Sequence, residues 1–417
     1  MNKHFGLKCS LCDAEYSVDE IHYTCPKDGG NLDVIIDYYH IRKHLNSRSF
    51  IQENELSFWR YFPLLPVHKL IGEGTPLRAA GYTPVFSPHK LKNRLNLRFL
   101  WVKDESRNPT ASFKDRASAI VVARAQELKK EAVVTASTGN AGAALAGMAA
   151  AVNQKAIIFA PKTAPPAKVA QLLIYGSEVL LVDGSYDDAF DLTIEAAEEF
   201  GWYCRNTGYN PFTAEGKKTA AYEIWEWFNS RNFDINLPIE RLSIIVSVGD
   251  GNIISGIHKG FKDLLALGWI DTIPRIIGVQ AEGSAAIANA FFDKTEELSP
   301  VIADTIADSI AVDLPRDGIR AVRAAVQTGG FYLTVSDSEI LAAISDLGEV
   351  GIFAEPAGAA SYAGLVKAVN DEKIAGDDPV LIINTGSGLK DIGPVREAVA
   401  PATIIEPTLD AVKALIY

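Results

Sequence analysis

From Leu97 onward the chain alternates between two kinds of segment. Short apolar runs of strand length occur at 99–102, 132–136, 156–160, 178–182, 242–248, 275–280 and 380–384. Between them, longer stretches at 117–129, 141–151, 166–173, 186–200 and 215–229 place apolar residues at helical spacing. A nearly continuous apolar run suits a strand buried on both faces. Strand and helix in turn predict an α/β chain whose parallel sheet is covered on both sides. In such folds ligands bind beyond the carboxyl ends of the strands, so the residues just after each strand are where chemistry is to be sought.

Four of these segments stand out. In the first, Asn108-Pro109-Thr110 predicts a turn, Ser112 an N-cap, and Lys114 falls in the first turn of the following helix. The positive end of the helix dipole disfavours a second positive charge there, which favours the neutral amine needed for an imine. A surface lysine paired with Asp115 is the plain reading of that segment taken alone. The second, Ser137-Thr138-Gly139-Asn140, opens an Ala-rich helix with hydroxyls, an amide and free N–H groups, a set suited to a carboxylate or a phenolic oxygen. The third, Gly249-Asp250-Gly251-Asn252, joins strand to helix with glycines that let backbone N–H groups close on a phosphate. It has neither the Gly-Lys-Ser/Thr of a nucleotide-hydrolysing loop nor the Gly-x-Gly-x-x-Gly of a dinucleotide site. The fourth, Thr385-Gly386-Ser387-Gly388, ends a buried strand with two hydroxyls, either of which suits a ring nitrogen.

Composition narrows the partners. The chain has 417 residues, 48% hydrophobic and 22% charged, enough for two or three domains with substantial cores. A net charge of −12 argues against nucleic acid or anionic lipid and for a small-molecule ligand. The N-terminus has no apolar stretch of signal-peptide length, and the most apolar run, 141–152, is too short for a bilayer, so a cytoplasmic protein is expected. Residues 37–72 read as an aromatic arm packed on the main body. Three of the four cysteines cluster near the start. Cys9-x-x-Cys12 followed by Cys25 has the two-knuckle layout of a zinc ribbon, with Asp28 where the fourth thiol would stand and His22 and His4 as other candidates. A ribbon that keeps its fold without metal is the alternative. Cys204 reads as a packed core thiol.

Taken in order, these features resemble the fold-type II pyridoxal-phosphate (PLP) enzymes and, within them, the threonine synthases. The shared set is an N-terminal ribbon, Gly74-Thr75-Pro76-Leu77, Asn108-Pro109-Thr110 with Ser112-Phe113-Lys114-Asp115-Arg116, Ser137-Thr138-Gly139-Asn140, the glycine loop, and Thr385-Gly386 with Gly388-Leu389-Lys390-Asp391. The resemblance implies two doubly wound α/β domains of the tryptophan-synthase-β-like fold behind a zinc-ribbon-like segment. These would be a segment at 1–36, a large PLP-binding domain at 37–116 and 207–417, and a small domain at 117–206. It implies that Lys114 holds PLP as a Schiff base, that Asn140 contacts the 3′-oxygen, and that Ser137 and Thr138 hold the substrate carboxylate. It implies further that the backbone of Gly249, Asp250, Gly251 and Asn252 binds the cofactor phosphate and that Thr385 meets the pyridine nitrogen. An amino-acid substrate and a homodimer are expected.

One motif departs from the family. Threonine synthases carry Asn-Pro-x-Arg-x-Glu-Gly, whose arginine grips the phosphate of O-phosphohomoserine, and this chain has Asn210-Pro211-Phe212-Thr213-Ala214-Glu215-Gly216-Lys217-Lys218. Thr213 stands at the arginine position, and Lys217 or Lys218 is the nearest replacement, as a point charge in place of a bidentate fork. The segment 305–310 also differs and brings Asp308 near the expected site. Threonine synthase is therefore the first reading. An ammonia-lyase or dehydratase acting on serine, threonine or a diamino acid, or a related β-replacement enzyme, is the second, and a non-catalytic homologue the third.

Overall fold

In the computed structural model, which describes residues 5–18, 20, 23–231 and 237–416, the elements follow the alternation read from the sequence. Strands β1 (Phe5–Cys9), β2 (Glu15–Ser17) and β3 (Leu32–Ile36) form a small antiparallel sheet of their own, in the order β2-β1-β3. Helix α1 (Tyr38–His44) begins the arm, whose Phe50, Phe58, Trp59, Tyr61 and Leu64 are all fully buried. Then come β4 (Val85–Phe86), α2 (His89–Arg94), β5 (Leu100–Asp104) and α3 (Lys114–Glu127).

A four-stranded parallel sheet follows: β6 (Ala132–Ala136), α4 (Asn140–Ala150), β7 (Lys155–Pro161), α5 (Pro166–Ile174), β8 (Glu178–Val182), α6 (Tyr186–Glu199) and β9 (Tyr203–Cys204), with strand order β8-β7-β6-β9. Helices α7 (Phe212–Lys217) and α8 (Thr219–Asn229) return the chain to the larger sheet. Its other strands and helices are β10 (Ser243–Ser247), α9 (Asn252–Ala266), β11 (Arg275–Ala281), α10 (Ala286–Phe292), α11 (Gly318–Val326), β12 (Tyr332–Val335), α12 (Asp337–Gly348), α13 (Pro356–Asn370) and β13 (Val380–Asn384). The order is β12-β11-β10-β13-β5-β4, parallel except for the edge pair β4–β5.

Because side chains alternate across a strand, each face of the large sheet meets its own core. Ile244, Val246, Ile276, Leu381 and Ile383 pack with α8, α9 and α11, while Ile245, Ile277, Val279 and Ile382 pack with α12 and α13. Each fully buried Ile or Val contributes about 1.5–3 kcal/mol relative to exposure. The small sheet follows the same rule. Val133 faces α3 and α4, whereas Ala132, Val134, Ile157 and Phe159 face α6. No helix among the described residues is long and apolar enough to cross a membrane.

Candidate active site

In the large sheet β10, β13 and β5 are neighbours, so the loops leaving their carboxyl ends lie side by side. These are the loops of 248–252, 385–387 and 105–113, and they meet at one cavity. Lys114, Asn140, Gly249, Asp250, Gly251, Asn252 and Thr385 all line it, together with Thr207, Ser247, Ser309 and Glu355. Ser137, Thr138 and Lys217 do not line it.

Lys114 is the first residue of α3. The preceding turn is tightly held: Asn108 accepts from Gly81 N at 2.8 Å and donates to Glu105, and Thr110 N donates to Asp115 Oδ2 at 2.7 Å. Ala111 takes a left-handed conformation, φ 64°, which costs about 1–2 kcal/mol for a residue with a Cβ. Its carbonyl accepts from Ser387 N, and Phe113 N donates to the Thr385 carbonyl, so the two loops are laced together. Ser112 does not cap α3 as expected. The cap position is Phe113, and the buried Ser112 Oγ has no hydrogen-bond partner. Asp115 is likewise committed to Thr110 and not to Lys114, whose Nζ makes no hydrogen bond or ion pair among the described residues. Burial, and then the charge of Arg205, lower the Lys114 ammonium pKa to about 8, against the opposing pull of Asp250 and Glu355. The neutral amine expected from the helix dipole thus owes more to desolvation and to a neighbouring guanidinium.

The glycine loop is drawn tight against the rest of the protein. Gly251 has φ 90°, and a Cβ on it would lie 2.6 Å from the Asp317 carbonyl. A Cβ on Gly249 would lie 2.7 Å from Ile310 Cα. Asn252 then opens the 15-residue helix α9, whose unpaired N–H groups face the cavity end. Side chains fix the loop from below: Asn252 Nδ2 donates to Asp317 at 2.6 Å, Asn252 Oδ1 accepts from Lys217 Nζ at 2.6 Å, and Arg316 N donates to Asp250 at 2.6 Å. Ser247 Oγ, buried at the cavity wall, lacks a partner.

Asn140 opens α4, and the turn before it is sharp because Gly142 lies where a Cβ would strike the Ser137 carbonyl. Ser137 and Thr138 are half-buried in that turn. The Asn140 amide donates to both oxygens of Glu355 at 2.9 Å. Burial pushes the Glu355 carboxyl up to about 7. Sequence reasoning missed Glu355. Its signal was Glu355-Pro356, a carboxylate followed by a proline at the first helical position, and it reads as an ordinary cap. The carboxylate expected from the 305–310 segment lies elsewhere, since Asp308 pairs with Lys168 at 2.6 Å and it is Ser309 that lines the cavity.

The two lysines after Thr213 part company. Lys218 is fully buried in an ion cluster with Glu215 at 2.6 Å and Asp263 at 2.9 Å. Lys217 is equally buried but bonds only to the neutral amide of Asn252, and burial together with Lys114 and Arg205 holds its pKa well below the usual lysine value. Thr213 is fully buried, its hydroxyl within reach of the Asn210 carbonyl at 2.7 Å.

At the N-terminus, Cys9, Cys12, Cys25 and Asp28 present ligand atoms within 4.8 Å of one another. The backbone N–H groups of Leu11 and Cys12 point at Cys9 Sγ, at 3.3 and 3.5 Å, as they do where a turn wraps a thiolate. His4 and His22 lie outside the described residues.

Residues 77–386 match the family model described as pyridoxal-phosphate dependent enzyme. Two proteins named threonine synthase, from Methanocaldococcus jannaschii and Methanosarcina acetivorans, are each 37% identical to this chain. The first match covers 98% of both chains and the second 99% of both. Among solved structures, a diaminopropionate ammonia lyase from Escherichia coli superposes with a TM-score of 0.65 at 21% identity, over 85% of this chain and 94% of that one. The processed threonine deaminase isoform 2 of Solanum lycopersicum gives 0.64 at 23%, over 79% and 92%. These likenesses show the shared fold. With a family match spanning most of its length and relatives aligned from end to end, the chain belongs to the pyridoxal-phosphate-dependent enzymes of fold type II, and within them to the threonine synthases.

Proposed function

We propose that this enzyme converts O-phospho-L-homoserine and water to L-threonine and phosphate, with Lys114 as the cofactor-bearing and proton-moving residue. The donor set fits PLP. A tight glycine loop at a helix N-terminus suits its phosphate, an unbonded amine its aldehyde, and Thr385 its ring nitrogen. When bound, PLP supplies an electron sink for charge developing on the substrate carbons. The backbone of Gly249, Asp250, Gly251 and Asn252 holds the phosphate. Asn140 faces the 3′-oxygen, and Glu355 orients its amide. An uncharged Thr385 hydroxyl at the ring nitrogen keeps the sink moderate, which favours elimination and replacement over transamination. Ser137, Thr138 and the start of α4 receive the substrate carboxylate. Lys114 Nζ takes the Cα proton and returns protons to the carbon chain.

The observation that carries the phosphate-ester substrate is Lys217, a buried lysine with no carboxylate partner, bonded to a residue of the cofactor loop. Burial and its cationic neighbours disfavour its charge, so an arriving phosphate is what would hold it as an ammonium. Replacing Lys217 with methionine is expected to raise KM for O-phosphohomoserine roughly ten- to a hundredfold, because a hydrogen bond to a charged group is worth about 1.5–3 kcal/mol. Steady-state phosphate release checks this, and an unchanged KM would remove Lys217 from the substrate site.

The same reading gives the N-terminal segment the role of a zinc ribbon, with Cys9, Cys12, Cys25 and Asp28 as ligands. Purified protein is expected to carry about one zinc per chain, and Cys12→Ser to release it while turnover persists. Metal analysis beside an activity assay tests both halves, and metal-free wild-type protein would mark the ribbon as one that has lost its ion. The division into a ribbon at 1–36, a large domain at 37–116 and 207–417 and a small domain at 117–206 belongs to this reading. A cytoplasmic homodimer does too.

A further inference from the structure

Arg205 is the cation that the reading above leaves without a task. It follows β9 at the carboxyl end of the small sheet and is fully buried, yet no carboxylate pairs with it among the described residues. Its Nε donates to Ser118 Oγ at 3.2 Å, its Nη1 donates to Thr207 Oγ1, and its Nη2 has no partner. All three facts are unusual for a guanidinium. The other buried arginines each pair with a carboxylate: Arg60 with Glu226, Arg116 with Glu105 and Glu223, Arg124 with Glu127, and Arg320 with Asp317 and Asp33. A buried charge held only by hydroxyls persists where a ligand completes its shell.

The location narrows that ligand. Thr207, which accepts from Nη1, lines the cavity, and the charge of Arg205 is close enough to Lys114 and Lys217 to depress both. Asp250 pulls on Arg205 more than any other carboxylate, but no ion pair joins the two, its Oδ1 accepts from Arg316 N, and burial pushes its pKa up to about 7. Arg205 itself stands behind the cavity wall, and an anion reaching past Thr207 would complete its shell. The cofactor phosphate has the glycine loop, and the substrate carboxylate has the start of α4. What remains is the phosphate of the substrate.

We propose that Arg205 is the specificity-determining residue for the phosphorylated substrate, its guanidinium forming the fork that grips the leaving phosphate with Lys217 as second cation. This rests on the threonine-synthase reading and adds to it where the fork lies. Thr213, at the position where the family's motif has its arginine, offers only a short hydroxyl that is engaged with Asn210. The planar fork instead comes from eight residues earlier, at the end of β9.

The test uses holoenzyme carrying Arg205→Gln or Arg205→Lys. With O-phosphohomoserine, Arg205→Gln is expected to raise KM roughly ten- to a hundredfold and Arg205→Lys by less, since lysine keeps the charge and loses the fork. The inhibition constant for inorganic phosphate should rise in parallel. PLP content and slow elimination from serine, which has no phosphate, should stay within about twofold of wild type, a pattern that a merely structural role would not give. Adding Thr213→Arg to Arg205→Gln should recover part of the lost affinity. Unchanged KM and phosphate inhibition in both variants, in an active wild-type background, would overturn the assignment of Arg205 alone. Loss of PLP or of serine elimination in both variants would overturn it equally, by making Arg205 a cofactor or folding residue. A wild-type enzyme that releases no phosphate from O-phosphohomoserine would instead defeat the parent reading.

Discussion

Lys114→Ala is expected to fold normally and to lose turnover by at least about a thousandfold. Proton transfer by a positioned group is alone worth about 10²–10⁴ in rate, and the same side chain is the one that bonds the cofactor. Folding should be spared because Lys114 Nζ makes no hydrogen bond or ion pair in the structure, and its charge is disfavoured by Arg205. Wild-type holoenzyme should be yellow and lose its absorbance band on borohydride treatment, with the cofactor fixed covalently to the peptide that contains Lys114. The alanine variant can hold PLP through the glycine loop but should release it on denaturation after the same treatment. Covalent fixation in that variant would place the bonding lysine elsewhere.

Two residues beyond Lys114, Arg116→Met is expected to cost about 3–5 kcal/mol of stability. Arg116 lies at the centre of a fully buried network. Its Nε and Nη2 meet Glu105 at 2.7 and 2.8 Å, and its Nη1 and Nη2 meet Glu223 at 2.5 and 2.7 Å. Lys103 completes the set with a 2.7 Å bond to Glu223. Two carboxylates and two cations balance, and removing Arg116 leaves a carboxylate buried without compensation. Arg116→Lys should recover only part, because one ammonium cannot serve both carboxylates bidentately. Urea unfolding followed by circular dichroism checks the ranking, wild type above lysine above methionine. A methionine variant within about 1 kcal/mol of wild type would mean that the network can be replaced by packing alone. The network also fixes the site, since Glu105 accepts from Asn108 in the turn that presents Lys114.

How legible each part was depended on how local its cause is. The strands at 132–136, 178–182 and 380–384 keep the bounds expected of them, because a run rich in Val, Ile and Leu between turn residues declares both its ends. By contrast β9, two residues long, and β12, four residues at a sheet edge, carry too little pattern to be seen, and β9 is what delivers Arg205. The helix expected at 215–229 starts three residues earlier and is divided at Lys218, which itself stays in right-handed helical conformation. Ser112 looked like a cap because it precedes a helix, but the bridge between residue 112 and Gly386 sets its direction, and that bridge joins positions far apart in sequence. The residues that share the cavity were legible because each follows a strand. Glu355 and Arg205 were not, since their meaning lies in partners contributed by other elements: Asn140 for the first, and the missing carboxylate for the second.

The reaction itself is decided by a substrate panel. Purified holoenzyme offered O-phosphohomoserine, O-phosphoserine, serine and threonine is assayed for phosphate, threonine, ammonia and keto acid. Phosphate and threonine are expected in equal amounts from O-phosphohomoserine, with only slow elimination from the others. Ammonia and keto acid from threonine or serine, with no phosphate from O-phosphohomoserine, would contradict it and make the enzyme an ammonia-lyase on the same PLP site.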